Sequence, residues 1–260
     1  MLGDLLLLSG NDIPFPGARV TIHQPSLKEI AYIGEEMFFI GCGFLNFSKD
    51  LLAPQDKVRL SNYHDFDIFM SIMTDKQKET KRSQQAAFLV LTLIFPLYEV
   101  SVRDKLIVLK QEDQEFYLNK DNFSEFRSII VDMFNLNLGD AASDEYNPSG
   151  DMASRIAEKF RKRHEQLNKI AKEQFSGKRF AILSRYASIL AIGLQISLKD
   201  IMQWTVYQLY DKFQRFQLKV QWDAYIQARM AGAKDLEEVD NWMIDLREQG
   251  KAKNKSKNKK

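Results

Sequence analysis

The chain has 260 residues, 45% of them hydrophobic and 28% charged, with a formal net charge of +2. That length and apolar share suffice for one large core or two small ones and exclude a globally disordered protein. A single cysteine, Cys42, excludes an intramolecular disulfide and a thiolate zinc site, and reads as a small core residue in a reducing compartment. The charge is uneven, because removing the six lysines between Lys251 and Lys260 leaves −4 for the remainder.

The apolar run Leu5 to Leu8 has no basic segment before it and is too short for a signal segment or a membrane span. The runs Ile30 to Leu45 and Ala86 to Tyr98 also stop short of about 18 uncharged residues, so no membrane association is expected. Next, Ile13-Pro14-Phe15-Pro16-Gly17 excludes a helix, since proline lacks a backbone donor and pushes its predecessor toward extended geometry. Ala18 to His23 reads as a short strand with Leu5 to Leu8 as its candidate hairpin partner. Ser26 and Glu29 have the spacing of a capping box, and the helix they open carries Ile30, Ile33, Met37, Phe38, Ile40 and Cys42 before Gly41 and Gly43 weaken it.

A polar connection from Lys49 to Lys57 leads into Ser61 to Thr74, and Lys76 to Gln84 reads as a solvated charged run. Gln85 to Phe95 is an apolar helix that Pro96 stops. Tyr98 to Val102, Lys105 to Lys110 and Glu115 to Leu118 are β-rich runs parted by turn residues, which predicts an antiparallel meander of two or three strands. Asn119 to Asn122 caps a helix with Phe123, Phe126, Ile129, Ile130, Met133 and Phe134 on one face.

These elements make residues 1–137 an α+β domain with a small antiparallel sheet. Residues 138–150 (LGDAASDEYNPSG) are rich in turn formers and acid and read as a linker. Residues 151–249 show only the helical period and are expected to form an all-α bundle, so the fold class is mainly α. Within the bundle, Asp151 to Gln174 sets Ile156, Phe160 and Ile170 opposite a basic face that includes Arg161, Lys162 and Arg163. After a break at Gln195 to Ser197, Ser197 is expected to start a helix running to about Val220, with Trp222 to Ala231 and Leu236 to Arg247 as two more. Residues 250–260 are expected to be a disordered lysine-rich tail, because like charges with Asn and Ser between them bury too little apolar surface to offset ordering.

Motifs for chemistry are missing: no phosphate-binding loop, dinucleotide fingerprint, nucleophile elbow or zincin motif occurs. His64, Asp65 and Asp67 come nearest to a metal cluster, but they lack a distant second ligand group and read as a helix-entry cap. His23 and His164 read as surface side chains, and of the acid pair Glu35-Glu36 one member should reach water, since neighbours on a helix point about 100° apart. No catalytic, cofactor-binding or metal-ligating residue is assigned, and the chain is expected to be non-enzymatic. Trp204, Tyr207, Tyr210, Phe213 and Phe216 recur at a spacing of three, as a slowly drifting stripe that suits a bundle interior. The first four are the candidate partner-binding set. Arg161, Lys162 and Arg163 are the candidate electrostatic set, on a face without aromatics to stack bases.

The phrases Ile13-Pro14-Phe15-Pro16-Gly17, Pro25-Ser26-Leu27-Lys28-Glu29-Ile30, Phe95-Pro96, Asn122-Phe123, Tyr146-Asn147-Pro148, Ser184-Arg185-Tyr186-Ala187-Ser188-Ile189-Leu190, Thr205-Val206-Tyr207-Gln208-Leu209, Ala231-Gly232-Ala233-Lys234 and Asn241-Trp242-Met243 occur in this order. In that order the chain resembles tail-morphogenesis proteins of long-tailed phages and prophages of Gram-positive bacteria, and among these the tail assembly chaperones. The resemblance spans about Ile13 to Trp242 and brings no catalytic residue and no cofactor. It implies a protein of the host cytoplasm that binds tape measure or tail tube proteins during virion morphogenesis. The alternatives are a structural protein of the tail or neck, retained in the virion, and a nucleic-acid-binding accessory protein that uses the basic helix and tail. Protein partners are expected ahead of nucleic acid, and the sequence does not give the oligomeric state.

Overall fold

The computed structural model of the chain describes residues 2–49, 60–75, 80–136 and 181–232, together with 239, 241–244 and 246. The expected linker 138–150, the basic helix 151–174 and the tail 250–260 lie outside the described residues. Of the expected last helix, Leu236 to Arg247, the described positions are not α-helical.

The chain opens with helix α1 (Asp4–Ser9), which ends where Gly10 turns left-handed. Leu5 to Leu8 is therefore helical and not a strand. The partner of strand β2 (Val20–Ile22) is instead β1 (Ile13–Phe15), antiparallel, with Ile13 opposite Ile22. Pro14 fits there because β1 is an edge strand, where a missing donor breaks no ladder bond, while Ile13 and Phe15 point into the core. Pro16 to Ala18 form a short 3-10 turn, so only the first part of the proline segment is extended.

Helix α2 (Leu27–Ile33) starts at the expected box: the Glu29 amide donates to Ser26 Oγ at 3.3 Å, and the Ser26 amide donates to the Glu29 carboxylate at 2.8 Å. It stops at Gly34, whose φ of 85° suits a residue without a side chain. Helix α3 (Glu35–Leu45) follows, so the single helix expected here is two, and Gly41 and Gly43 lie inside the second without ending it. Gly41 has a packing role. A Cβ there would collide with the Ala86 carbonyl oxygen and the Val90 side chain, so its absence lets α3 and helix α5 (Lys81–Ile94) press together. Lys81 to Gln84, expected as part of a solvated run, is the first turn of α5.

Helix α4 (Asp65–Met73) lies between α3 and α5 in the chain. Strands β3 (Glu99–Arg103), β4 (Leu106–Gln111) and β5 (Gln114–Leu118) form the expected meander, in sequence order and antiparallel. Helix α6 (Lys120–Phe134) begins at an Asn119–Asn122 capping box and buries the whole expected face from Phe123 to Phe134. Its Phe123 ring lies 5.1 Å from Phe69 and 5.3 Å from Phe66, which ties α6 to α4 through offset aromatic contacts.

The C-terminal elements are α7 (Ile182–Leu194), α8 (Leu198–Ile201) and α9 (Val206–Met230). The helix expected from Ser197 to Val220 is divided, because Thr205 and Gln208 form a third capping box and restart the chain as α9. From there α9 continues through Trp222 to Met230, with no break at the expected boundary. The architecture is thus helical, with a small antiparallel sheet in the N-terminal half and helices in the C-terminal half.

Backbone pairing joins the two ends. The first amides of α2, which have no acceptor inside their own helix, donate outward: Leu27 to the Trp204 carbonyl at 2.8 Å and Lys28 to that of Met202 at 2.9 Å. Beside them Ser26 and Thr205 form an antiparallel bridge. Glu35 closes the start of α7 in turn, with its carboxylate accepting from the Leu183 amide at 2.6 Å. One continuous cluster of buried side chains includes Leu7, Leu27 and Ile30 together with Leu190, Val206 and Leu209.

The contrast between the glycines of α3 gives a test. A Cβ added at Gly43 would meet only open space, so Gly43→Ala should stabilise by up to about 1 kcal/mol through helix propensity alone. Gly41→Ala gains the same propensity but forces α3 away from α5, and a net loss of about 1–3 kcal/mol is expected. Urea denaturation of the two variants measures both signs.

Candidate functional site

The candidate aromatic set divides by position on α9. A spacing of three steps back about 60° around a helix at each residue, so four such residues sweep half its circumference and cannot all face one way. Tyr210 and Phe213, in the middle of the series, are buried, while Tyr207 and Phe216 at its ends are half-buried. Trp204 precedes the Thr205 cap and is off the helix; Lys212 Nζ lies 4.8 Å from its ring centroid. The structure brings Tyr207, Tyr210 and Phe213 into internal contacts. Tyr207 donates to Asp4 on α1 at 3.0 Å, Tyr210 meets Tyr186 edge-on, and Phe213 stacks on Tyr186 with centroids 3.7 Å apart. Arg161, Lys162 and Arg163 lie outside the described residues.

Burial pushes the Tyr210 phenol up to about 12, with Tyr186 and Glu35 nearby adding to the rise. Cys42, a fully buried core residue of α3, has its thiol pushed well up by the same cause. His64 acts as the expected helix-entry cap, accepting from the Phe66 amide at 3.2 Å. The neighbouring carboxylates are engaged by cations of α6, Asp65 by Arg127 at 2.9 Å and Asp67 by Lys120 at 2.9 Å. The hydrogen bond from Lys120 holds the Asp67 carboxyl below its ordinary value. Of the acid pair, Glu35 caps α7 while exposed Glu36 pairs with Arg82 at 2.6 Å.

Among the described residues two surfaces stand out. The first is apolar. Beyond its buried stripe of Leu183, Ala187 and Leu190, α7 turns Ile182, Ile189 and Ile192 outward, and Leu198 on α8 is exposed as well. Ile192 is 83% exposed and Leu198 52%, well beyond what a core helix shows. The sequence carried the signal, because Arg185 to Leu198 has apolar residues all round the helix and only one face can reach the core. The far half of α9 adds Val220 and Met230, both exposed.

The second is a polar cleft of about 510 Å³ between the end of α1, the start of α2 and the turn before α9. His23, expected as a surface side chain, is part-buried on its wall and spans two carboxylates, with Nδ1 2.9 Å from Asp12 and Nε2 3.3 Å from Glu29. Burial by itself would raise the Glu29 carboxyl, but hydrogen bonds from the Ser26 hydroxyl and amide, with the nearby His23, take it below its ordinary value. Ser26 Oγ donates to Glu29 at 2.6 Å and not to His23, so the serine serves the cap and is not activated by the imidazole. Gln24, 2% exposed, donates through Nε2 to the Leu6 and Asn11 carbonyls.

The Tyr210 environment predicts a pH effect. The phenol is neutral in the folded state and ordinary, near 10, in the unfolded chain, so its contribution is complete below about pH 10 and is lost as pH rises toward 12. The stability difference between wild type and Tyr210→Phe, from denaturation midpoints across that range, should change by about 2–3 kcal/mol in favour of the variant.

Residues 172–246 match a family model described as the YomV second domain, a segment that includes α7, α8 and α9. The match covers under a third of the chain and suggests a phage-derived, prophage-like protein. No curated protein and no solved structure matches the chain.

Proposed function

We propose that the protein is a non-enzymatic factor of phage tail assembly, of the tail assembly chaperone kind, which holds an apolar helical stretch of a tape measure or tail tube protein. The observation that carries this reading is the exposed apolar surface of Ile182, Ile189 and Ile192 on α7, with Leu198 on α8. Among the described residues these side chains stand outside the buried cluster. An amphipathic helix laid on such a strip covers apolar surface on both partners, the helix-in-groove mode of recognition. Support comes from the family match, which falls on the same segment, and from the tail-morphogenesis resemblance of the sequence.

Ile189 and Ile192 are suited to a test because charges there leave the buried face of α7 untouched. The double change Ile189→Glu with Ile192→Glu should leave the melting temperature within a few degrees, as for surface sites. It should abolish the ability of the co-expressed protein to keep a tape measure fragment soluble. Equal solubilisation by wild type and variant would remove the strip from the mechanism, and failure of both would remove the chaperone reading. Mass spectrometry of purified particles then separates an assembly factor, which leaves the virion, from a tail component that stays in it.

A further inference from the structure

The polar cleft has no part in that reading, since none of its lining residues belongs to the apolar strip. At about 510 Å³ it falls within the roughly 300–1,000 Å³ of small-molecule sites. Its lining is unlike that of an apolar site. Ser9, Ser26 and Thr205 bring hydroxyls, Gln24, Gln203 and Gln208 bring amides, and Tyr32 and the His23 imidazole are the aromatic rings, with no Leu, Ile, Val or Met among them. Lys28 and Glu29 balance in charge, and the Glu29 carboxylate is already committed to Ser26 and His23.

Two details point to a ligand rich in neutral hydrogen-bonding groups. Tyr32 is 81% exposed, a large ring held at the rim with no packing duty that accounts for it. Gln24 is fixed by two carbonyl acceptors on Nε2, which settles the orientation of its amide. Its Oε1 is then buried with no hydrogen-bond partner among the described residues, although such acceptors are nearly always satisfied. A peptide strand would bring apolar side chains into a cleft that offers them nothing but Tyr32. A charged ligand would meet a lining whose fixed charges cancel.

We propose that this cleft is a binding site for a neutral saccharide, with one sugar face against the Tyr32 ring and its hydroxyls directed to the Gln203 amide and to the Gln24 carbonyl oxygen. A sugar hydroxyl both donates and accepts, which suits the exposed Gln203 amide and the Gln24 oxygen, since Ser9, Ser26 and Gln208 are engaged in internal hydrogen bonds, and its C–H face supplies the apolar surface that a ring can cover. A hydroxyl that displaces the Gln24 carbonyl slightly toward the cleft would give that acceptor its donor.

Saturation-transfer NMR and calorimetry on the full chain, with glucose, galactose, N-acetylglucosamine and their β-linked dimers as probes, test the assignment. At least one probe should bind with Kd of about 1 mM or tighter. Tyr32→Ala and Gln203→Ala, both at exposed positions, should each weaken it by about tenfold or more with the melting temperature unchanged. Absence of binding by every probe, binding undiminished in Tyr32→Ala, or binding of a Ser/Asn tetrapeptide in place of the sugars would overturn the proposal. None of these outcomes bears on tape measure solubilisation, so the two readings fail separately.

Discussion

The pairing of two helix starts is the interaction on which the arrangement depends. Each of α2 and α9 opens on its own capping box, and the two caps lie side by side through the Ser26–Thr205 bridge. Capping satisfies some of the orphan amides of a helix start, but the first ones need acceptors from elsewhere. For α2 those acceptors are the carbonyls of Met202 and Trp204. The turn between α8 and α9 is thereby fixed by the N-terminal segment, and α9 leaves it in a direction that lays Val206, Leu209 and Phe213 on the core.

That direction decides what is inside and what is outside. Tyr210 and Phe213 lock against Tyr186 on α7, and Glu35 holds the beginning of α7 from the other side. With α7 clamped at its start and along one face, its remaining apolar side chains stay exposed among the described residues. The exposed strip is a consequence of a helix with more apolar surface than one core can cover. Contact with another protein is the use we propose for this surface.

Much of the fold was legible because it rests on local rules. The Ser26–Glu29 and Asn119–Asn122 boxes, the stop at Pro96 and the face from Phe123 to Phe134 depend on spacings within a few residues. Where the reading failed, the deciding partner was distant. Leu5 to Leu8 looks like strand by composition, but Ile13 and Phe15 alternate toward the core and win the pairing with β2. Gly41 looks like a helix breaker until Ala86 is seen against it. The aromatic set was legible as a stripe, whereas its drift around α9, which buries two members and leaves others half-covered, needed the true start of the helix at Val206. The cleft was not legible, since Ser9, His23 and Gln203 meet only through the tertiary fold.

The long reach of the joint also governs the order of events at the ribosome. Gln208 bonds the Leu8 carbonyl across 200 positions of chain, and translation at about 5–20 residues per second takes roughly 10–40 s to cover that distance. Until Met202, Trp204 and Gln208 emerge, α2 waits with its leading amides unpaired and Leu7, Leu27 and Ile30 short of their cover. Folding of the N-terminal segment therefore completes late, after the C-terminal helices have emerged.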